Sequence, residues 1–412
     1  MITTQVFACS LPKATADALN RESGRIYTTT LVEHYRVYRH TGHWLSPKAD
    51  EKLNDFLSGP TWLHAHSRDA AQQAFGKACK TARACQLAGL NTHFPHKRKL
   101  WRSTVWKHTG IRMQGDFLWL ALARGNAPIR VVLPRHLRAL SPEALLEMRL
   151  VWDKAARHYQ WHLVLEDGKA PEPAPGTHVA GVDLGEIHPA AVSDGLESVV
   201  FTARQLRSLA QYSNKRLAAL QQKQSGKVKG SQRWKRLQRR KNRFLAQQKR
   251  RKRDIEHKVS RAVVDWAVER QVGKLAVGDV RDIADPVHLG KQTNQKIANW
   301  THGKLRTYIA YKAAAKGIAV AFVNEAYTSQ TCPNCGERSK PRGRVYRCPA
   351  CGFRSHRDAV GAANIRSVDL YGEPGKSPPG TIKYRRPFVL RRRSPSDTGQ
   401  VARPQSREAA AL

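Results

Sequence analysis

A chain of 412 residues exceeds one ordinary domain and has room for about two to four, each able to bury a core. Its 72 Lys and Arg against 32 Asp and Glu leave a formal charge of +40, which sets a compact fold against itself unless a polyanion neutralises it; nucleic acid fits that requirement. The basic residues are spread along the chain and no run of about 18 apolar residues occurs, which argues against a membrane as partner.

The opening M-I-T-T-Q-V-F-A-C-S-L lacks the basic start and long apolar run of a secretory signal, so a cytoplasmic protein is expected: nucleoid-associated in a bacterium, nuclear in a eukaryote. Seven cysteines, four of them in paired C-x-x-C form and Cys9, Cys79 and Cys85 scattered, fit a reducing compartment and one metal site better than a disulfide framework.

In chain order, residues 12–90 read as a helical module, with Ala70, Ala71, Ala74, Ala78 and Ala82 at near-helical spacing. Short strand candidates follow near Trp119, Val131 and Trp161, so residues 1–11 and 91–167 are expected to form a β-barrel carrying that helical module as an insert. Between them Trp101 and Trp106, with Lys97, Arg98, Lys99, Arg102 and Lys107, make an aromatic and basic stretch suited to stacking on RNA or flanking DNA, although core packing explains the two indoles nearly as well. Prolines and glycines make residues 168–177 a linker.

V-A-G-V, residues 179–182, reads as a buried strand with a hairpin partner after Pro189, and Asp194 before Gly195 as a turn residue. Residues 203–261 hold 21 Lys and Arg but only Asp254 and Glu256 as acids, which predicts two long basic helices joined near Gly226 and Gly230. Opposite charges for i,i+4 pairing are nearly absent, so this insert reads as a grip on a polyanion, with Arg233, Lys235, Arg236, Arg239, Arg240, Lys241, Arg243, Lys249, Arg250 and Arg251 on phosphate. K-L-A-V-G (274–278) is a second core strand, an amphipathic helix carrying Ile297, Trp300, Leu305, Tyr308 and Ile309 follows, and I-A-V-A-F-V (318–323) is a third strand parallel to the second. Residues 369–412 look like a disordered basic tail.

Cys332-x-x-Cys335 and Cys348-x-x-Cys351, separated by twelve residues, can close a thiolate tetrahedron on one zinc ion, a zinc ribbon over residues 326–356. Gly336 and Gly352 follow the knuckles where tight turns are needed, and four thiolates leave no open position, so the zinc is structural. Lys340, Arg342, Arg344 and Arg347 give the ribbon a basic face.

Cleavage of a phosphodiester by paired Mg²⁺ ions needs several converging carboxylates. Asp183 closes a buried strand, where desolvation is costly unless a cation meets it; a turn-forming role is the alternative. Asp358 stands before A-V-G-A-A-N-I, where a helix-capping role is the alternative.

The order G-V-D-L-G, basic helical insert, Y-T-S-Q-T-C-P-N-C-G, C-P-A-C-G and H-R-D-A-V-G-A-A-N-I resembles the nuclease half of TnpB proteins, the transposon-encoded relatives of type V CRISPR effectors and of Fanzor proteins, over residues 179–366. The resemblance implies an α+β multidomain protein. An RNase H-like (RuvC) nuclease domain, residues 178–325 and 357–368, carries the inserted zinc ribbon, and the N-terminal β-barrel carries its helical recognition insert. It further implies a guide RNA derived from the transposon end, a double-stranded DNA target cut beside a short adjacent motif, and Mg²⁺ at the catalytic acids; a monomer is expected. One departure matters: where most members carry a catalytic Glu at the end of the second core strand, this chain has Gly278. Either the site is broken and the protein is a guided DNA-binding repressor, or Glu325, leaving the neighbouring strand about 4.8 Å away, leans across the glycine to complete a set of Asp183, Glu325 and Asp358. Asp279 ranks below Glu325 because alternation turns it to the opposite face, and Asp282 and Asp285 read as solvated.

Overall fold

The structure is a computed structural model that describes residues 2–57, 59–154, 156–166, 168, 170–279, 290, 294, 302–341 and 343–387. Ile297, Trp300, Asp282, Asp285, Arg342 and the last part of the expected tail therefore lie outside the described residues. The chain divides into two compact units at Lys169/Ala170, inside the Pro- and Gly-rich segment.

The first unit joins helices and short strands on one apolar core. Strand β1 (Ile2–Ala8) is followed by helices α1 (Lys13–Thr41), α2 (Pro47–Leu57) and α3 (Ala65–Leu87). Helix α1 ends at Gly42, whose left-handed conformation (φ 69°) lets its N–H return to the Tyr38 carbonyl. The strands β2 (Thr104–Lys107), β3 (Ile111–Gln114), β4 (Phe117–Leu120), β5 (Ile129–Val132), β6 (Leu145–Asp153) and β7 (His158–Glu166) fall into two sheets, ordered β1-β7-β6-β2 and β3-β4-β5. Both sheets contribute to a core with Leu19 and Ile26 of α1, and its largest members are Trp106 and Trp161. Trp106 is thus a packing residue, its indole N–H spent on the Ala121 carbonyl, and only Trp101 of the expected aromatic pair is exposed.

The second unit is built on a six-stranded sheet. Its strands are β8 (His178–Asp183), β9 (Ala190–Ser193), β10 (Glu197–Phe201), β11 (Val272–Asp279), β12 (Ala319–Asn324) and β15 (Thr381–Arg385), in the order β12-β11-β8-β9-β10-β15. The meander β8-β9-β10 is antiparallel, while β11 and β12 run parallel to β8, so three parallel strands end at one edge. Helix α4 (Arg204–Ser225) and helix α5 (Gln232–Glu269) form the basic hairpin, Ser231 caps α5 by accepting the Trp234 N–H, and helix α6 (His302–Ala315) leads into β12. Of the ten basic positions expected to grip phosphate, all are exposed except the partly buried Lys241.

Two expectations need correction. The basic insert does not stop at residue 261: α5 continues to Glu269 because Val259, Val263, Val264, Trp266 and Ala267 are buried against the sheet. The tail is not disordered from residue 369, since the helix from Arg357 continues to Tyr371 and β15 then pairs in parallel with β10. Alternating T-I-K-Y-R suits an edge strand, and ion pairs of Lys383 with Glu197 and Arg385 with Glu269 hold it there. Residues 170–177 lack regular structure yet are pinned: the Glu172 N–H donates to the Ala315 carbonyl, and Gly176 lies so close to Gly273 that a Cβ on the latter would sit 2.1 Å from the Gly176 oxygen.

Candidate active site

Asp183 is the last residue of β8. The ladder pairs Val182 with Val277 and Gly278 with Val323, so Asp183 and Gly278 occupy one row across the sheet and Glu325, two residues beyond Val323, emerges on the same face. A Cβ built on Gly278 would meet the Glu325 Oε2 at 2.6 Å: the glutamate of the outer strand fills the space a side chain at position 278 would take. Its backbone turn is fixed from below. The Glu325 carbonyl accepts from the Thr328 N–H and hydroxyl, and buried Asn364 donates to the Thr328 and Thr331 carbonyls, both at 2.7 Å. Tyr327 in that turn has φ 63°, an uncommon left-handed conformation for a ring-bearing residue.

Asp358 arrives from a different direction, in the first turn of helix α7 (Arg357–Tyr371), whose start is capped by His356 accepting the Asp358 N–H. Small residues let α7 lie directly on β8. A Cβ on Gly181 would sit 2.0 Å from the Ala362 carbonyl oxygen, and one on Gly361 would sit 2.7 Å from the Asp183 Oδ2. That approach brings Asp358 near enough for its charge to be felt at Asp183.

The three carboxyls feel one another. Asp183 keeps a partly open surface but has protein on nearly every side; desolvation first, then the charges of Asp358 and Glu325, raise its pKa well above the carboxylate range. Burial, with help from Asp279, pushes Glu325 up to about 7. Asp279 itself is held by Arg306 at 2.6 Å. Mutually repelling carboxyls, only partly offset by Arg344 and Arg357, suit a hard divalent cation in place of protons, and their donor chemistry fits the magnesium that the resemblance implies. Among the described residues, the groups with ligand atoms within 4.8 Å of one another are the four cysteines and the set of His188, His356 and Asp358.

Four neighbours were not legible beforehand. Arg344, expected on the basic face of the ribbon, turns its guanidinium to Asp358 at 3.0 and 3.3 Å. His188 and His356 stand with Asp358 so that one ligand atom of each lies within 4.8 Å of the others. Burial lowers both imidazoles' pKa values, keeping them neutral, and the buried His188 Nδ1 has no hydrogen-bond partner. Tyr384 of β15 stacks edge-on to His356 at 5.7 Å. Only a T-I-K-Y-R strand signal could have pointed to it.

The four cysteine sulfurs form a second cluster. Cys332 and Cys351 sulfurs lie 3.6 Å apart and those of Cys335 and Cys348 3.5 Å apart, spacings suited to four corners of one tetrahedral ion. The two knuckles repeat one design: Gly336 (φ 78°) donates its N–H to the Cys332 carbonyl and Gly352 (φ 69°) to the Cys348 carbonyl. The short hairpin of β13 (Val345–Arg347) and β14 (Arg354–His356) leads from the second knuckle straight into α7.

Two family models match this chain, "Probable transposase" over residues 162–284 and "Cas12f1-like, TNB domain" over residues 302–365. A TnpB-like protein of Methanocaldococcus jannaschii is 26% identical over 226 residues, 52% of this chain and 79% of that one. These similarities all lie with TnpB-type proteins. The CRISPR-associated endodeoxyribonuclease Cas12f1 of Sulfoacidibacillus thermotolerans is 34% identical over 112 residues, 26% of this chain but only 25% of that larger protein. Among solved structures, Cas12f1 in its complex with single-guide RNA and target DNA superposes with a TM-score of 0.62 at 13% identity, over 86% of this chain and 83% of that one, which shows a shared mixed α/β fold.

Proposed function

We propose that this protein is a TnpB-type, RNA-guided, Mg²⁺-dependent DNA endonuclease, taking its guide from the transposon end and cutting guide-matched duplex DNA beside a short adjacent motif. The observation that carries this reading is Glu325 lying across Gly278 on the face that holds Asp183, with Asp358 brought in by α7. Support comes from a relative named as an endodeoxyribonuclease and from a fold shared with a protein solved with guide RNA and target DNA.

In the RNase H-like core, Asp183, Glu325 and Asp358 hold the metal, and a magnesium pair bound there supplies a polarised water and charge stabilisation on the leaving oxygen. The chain's own residues do the rest. Asp183 and Glu325 would bind a cation as carboxylates, their protons passing to solvent, while Arg344 holds and orients Asp358 and neutral His188 and His356 wall the pocket beside it. The four cysteines carry a structural zinc that fixes the start of α7. Exposed Arg233, Lys235, Arg236, Arg239, Arg240, Arg243, Lys249, Arg250 and Arg251, with Lys241, grip phosphates of the guide and target without reading bases, as recognition by base pairing requires.

The test is a purified guide complex incubated with matching DNA and Mg²⁺. Cutting is expected, lost in Glu325→Ala and retained in Asp279→Ala. Intact DNA bound tightly and in a sequence-matched way means a guided repressor instead, and joined DNA ends mean a strand-transferring transposase, the activity named by the family model over residues 162–284.

A further inference from the structure

The first unit has a cavity of about 500 Å³ that takes no part in the chemistry above. Arg21, Arg25 and Thr28 of α1 form one wall, and Lys99, Leu100 and Trp101 of the segment before β2 form the other. The walls are held rigidly. A Cβ on Gly24 would meet the Leu100 backbone at 2.7 Å, so the segment lies directly on the helix at a glycine. On one side of that crossing Thr28 clamps Lys99, its hydroxyl donating to the Lys99 carbonyl and accepting the Lys99 N–H, each at 3.0 Å. On the other, the Arg102 N–H donates to the Asn20 carbonyl at 2.9 Å.

This construction keeps a large aromatic ring at the surface. Trp101 is 48% exposed while its chain neighbours are tied down, and the Arg21 guanidinium already lies over the indole at 5.0 Å. Exposing an indole beside the cationic Arg21 and Lys99, with Arg25 paired to Glu22, in a chain of charge +40, suits a ligand that is flat and aromatic at one end and anionic at the other. We infer that this cavity binds one unpaired nucleotide of a nucleic acid, its base stacked on Trp101 and its phosphate met by Arg21 and Lys99.

Selectivity follows from what is left over. The hydroxyl of Thr28 is spent on Lys99 and that of Thr29 on the Arg25 carbonyl, so hydroxyls do not face a base edge. The site therefore takes any base. An RNA strand and a single DNA strand share this chemistry, and the experiment separates them.

The full-length protein, freed of nucleic acid, is irradiated with short homopolymers carrying one 4-thiouridine in RNA or one 4-thiothymidine in DNA, and the adducts are mapped by peptide mass spectrometry. Adducts within residues 99–102 are expected. Their yield falls about tenfold in Trp101→Ala, and also in Arg21→Ala/Lys99→Ala where the indole remains, and it recovers in Trp101→Phe. Phe56→Ala, an 86% exposed ring away from this cavity, leaves the yield unchanged. Adducts with RNA alone assign the site to the guide, and adducts with both to an unpaired strand of either kind. Adducts confined to the basic helices, or a yield at residues 99–102 indifferent to Trp101 and Arg21, overturn the assignment. Asp183→Ala leaves these adducts in place, so loss of cleavage and loss of this site are read separately.

Discussion

The cysteine ribbon and the carboxylate centre both gather donors suited to metal, yet they are made in opposite ways. The ribbon's four ligands lie between Cys332 and Cys351, and each knuckle closes on its own left-handed glycine. The carboxylate centre gathers residues 183, 325 and 358 from two strand ends and a helix start, and it exists only because Gly181, Gly278 and Gly361 allow surfaces to touch. A local site is a property of a short peptide, whereas a distributed one is a property of the packed sheet. Substitution separates the two most sharply. Asp183→Ala is expected to lower cleavage on the order of 10³-fold while leaving the melting temperature unchanged or higher, since a carboxyl held well above its ordinary pKa is removed. Cys348→Ser is expected to do the reverse in kind, releasing zinc and costing about 3 kcal/mol or more of stability, with cleavage falling only as the start of α7 loosens. Zinc content by mass spectrometry and thermal melts of both variants check this; full activity in Asp183→Ala would remove the carboxylate centre from the chemistry.

The glycines sharpen the contrast within the carboxylate centre itself. At Gly181 an added methyl meets the Ala362 carbonyl oxygen at 2.0 Å, and neither strand nor helix can yield cheaply. Gly181→Ala is expected to destabilise the second unit by about 1–3 kcal/mol. At Gly278 the added methyl meets the Glu325 Oε2 at 2.6 Å and the Ile365 Cδ1 at 2.9 Å, both ends of side chains that can move. Gly278→Ala should therefore keep most of its stability but lose about tenfold in cleavage, since about 1.4 kcal/mol of lost metal positioning is one power of ten. Denaturant melts beside initial cleavage rates distinguish the pair, and equal stability losses at both positions would mean that Glu325 is packed as tightly as backbone.

How much was legible follows the same division. Residues 332–351 disclosed the ribbon because thiolate ligation depends on spacing along the chain. Asp183 was legible at a strand end, and Glu325 from the resemblance that exposed Gly278 together with strand order and spacing. Arg344, His188 and Tyr384 were not, because each reaches the site by a fold of the backbone that no period records. The end of α5 was misjudged for a related reason. Dense charge up to Arg261 hid the change of face at Val259, Val263 and Trp266, where the same helix passes from a solvated surface into the core. In β15, five residues of T-I-K-Y-R between glycine and arginine runs were too short to outweigh the basic composition around them.

The smallest expected effect concerns protons. Glu325 titrates near 7 in the folded protein against an ordinary 4.5, so between those values the folded chain holds a proton that the unfolded chain has released. Its contribution to stability is therefore complete below about pH 4.5, falls as pH rises through that window, and becomes a standing penalty above 7. The distributed centre should then lose stability with rising pH where the cysteine ribbon, whose ligands favour deprotonation for metal, gains it. In metal-free buffer the wild-type melting temperature should drop between pH 5 and pH 8 by about 2–4 °C more than that of Glu325→Gln, which cannot titrate there. Adding Mg²⁺ at pH 8 should reverse the difference, because the cation replaces the proton among Asp183, Glu325 and Asp358. Parallel pH profiles for the two proteins would place Glu325 in solvent, and its reach across Gly278 would then have no energetic consequence.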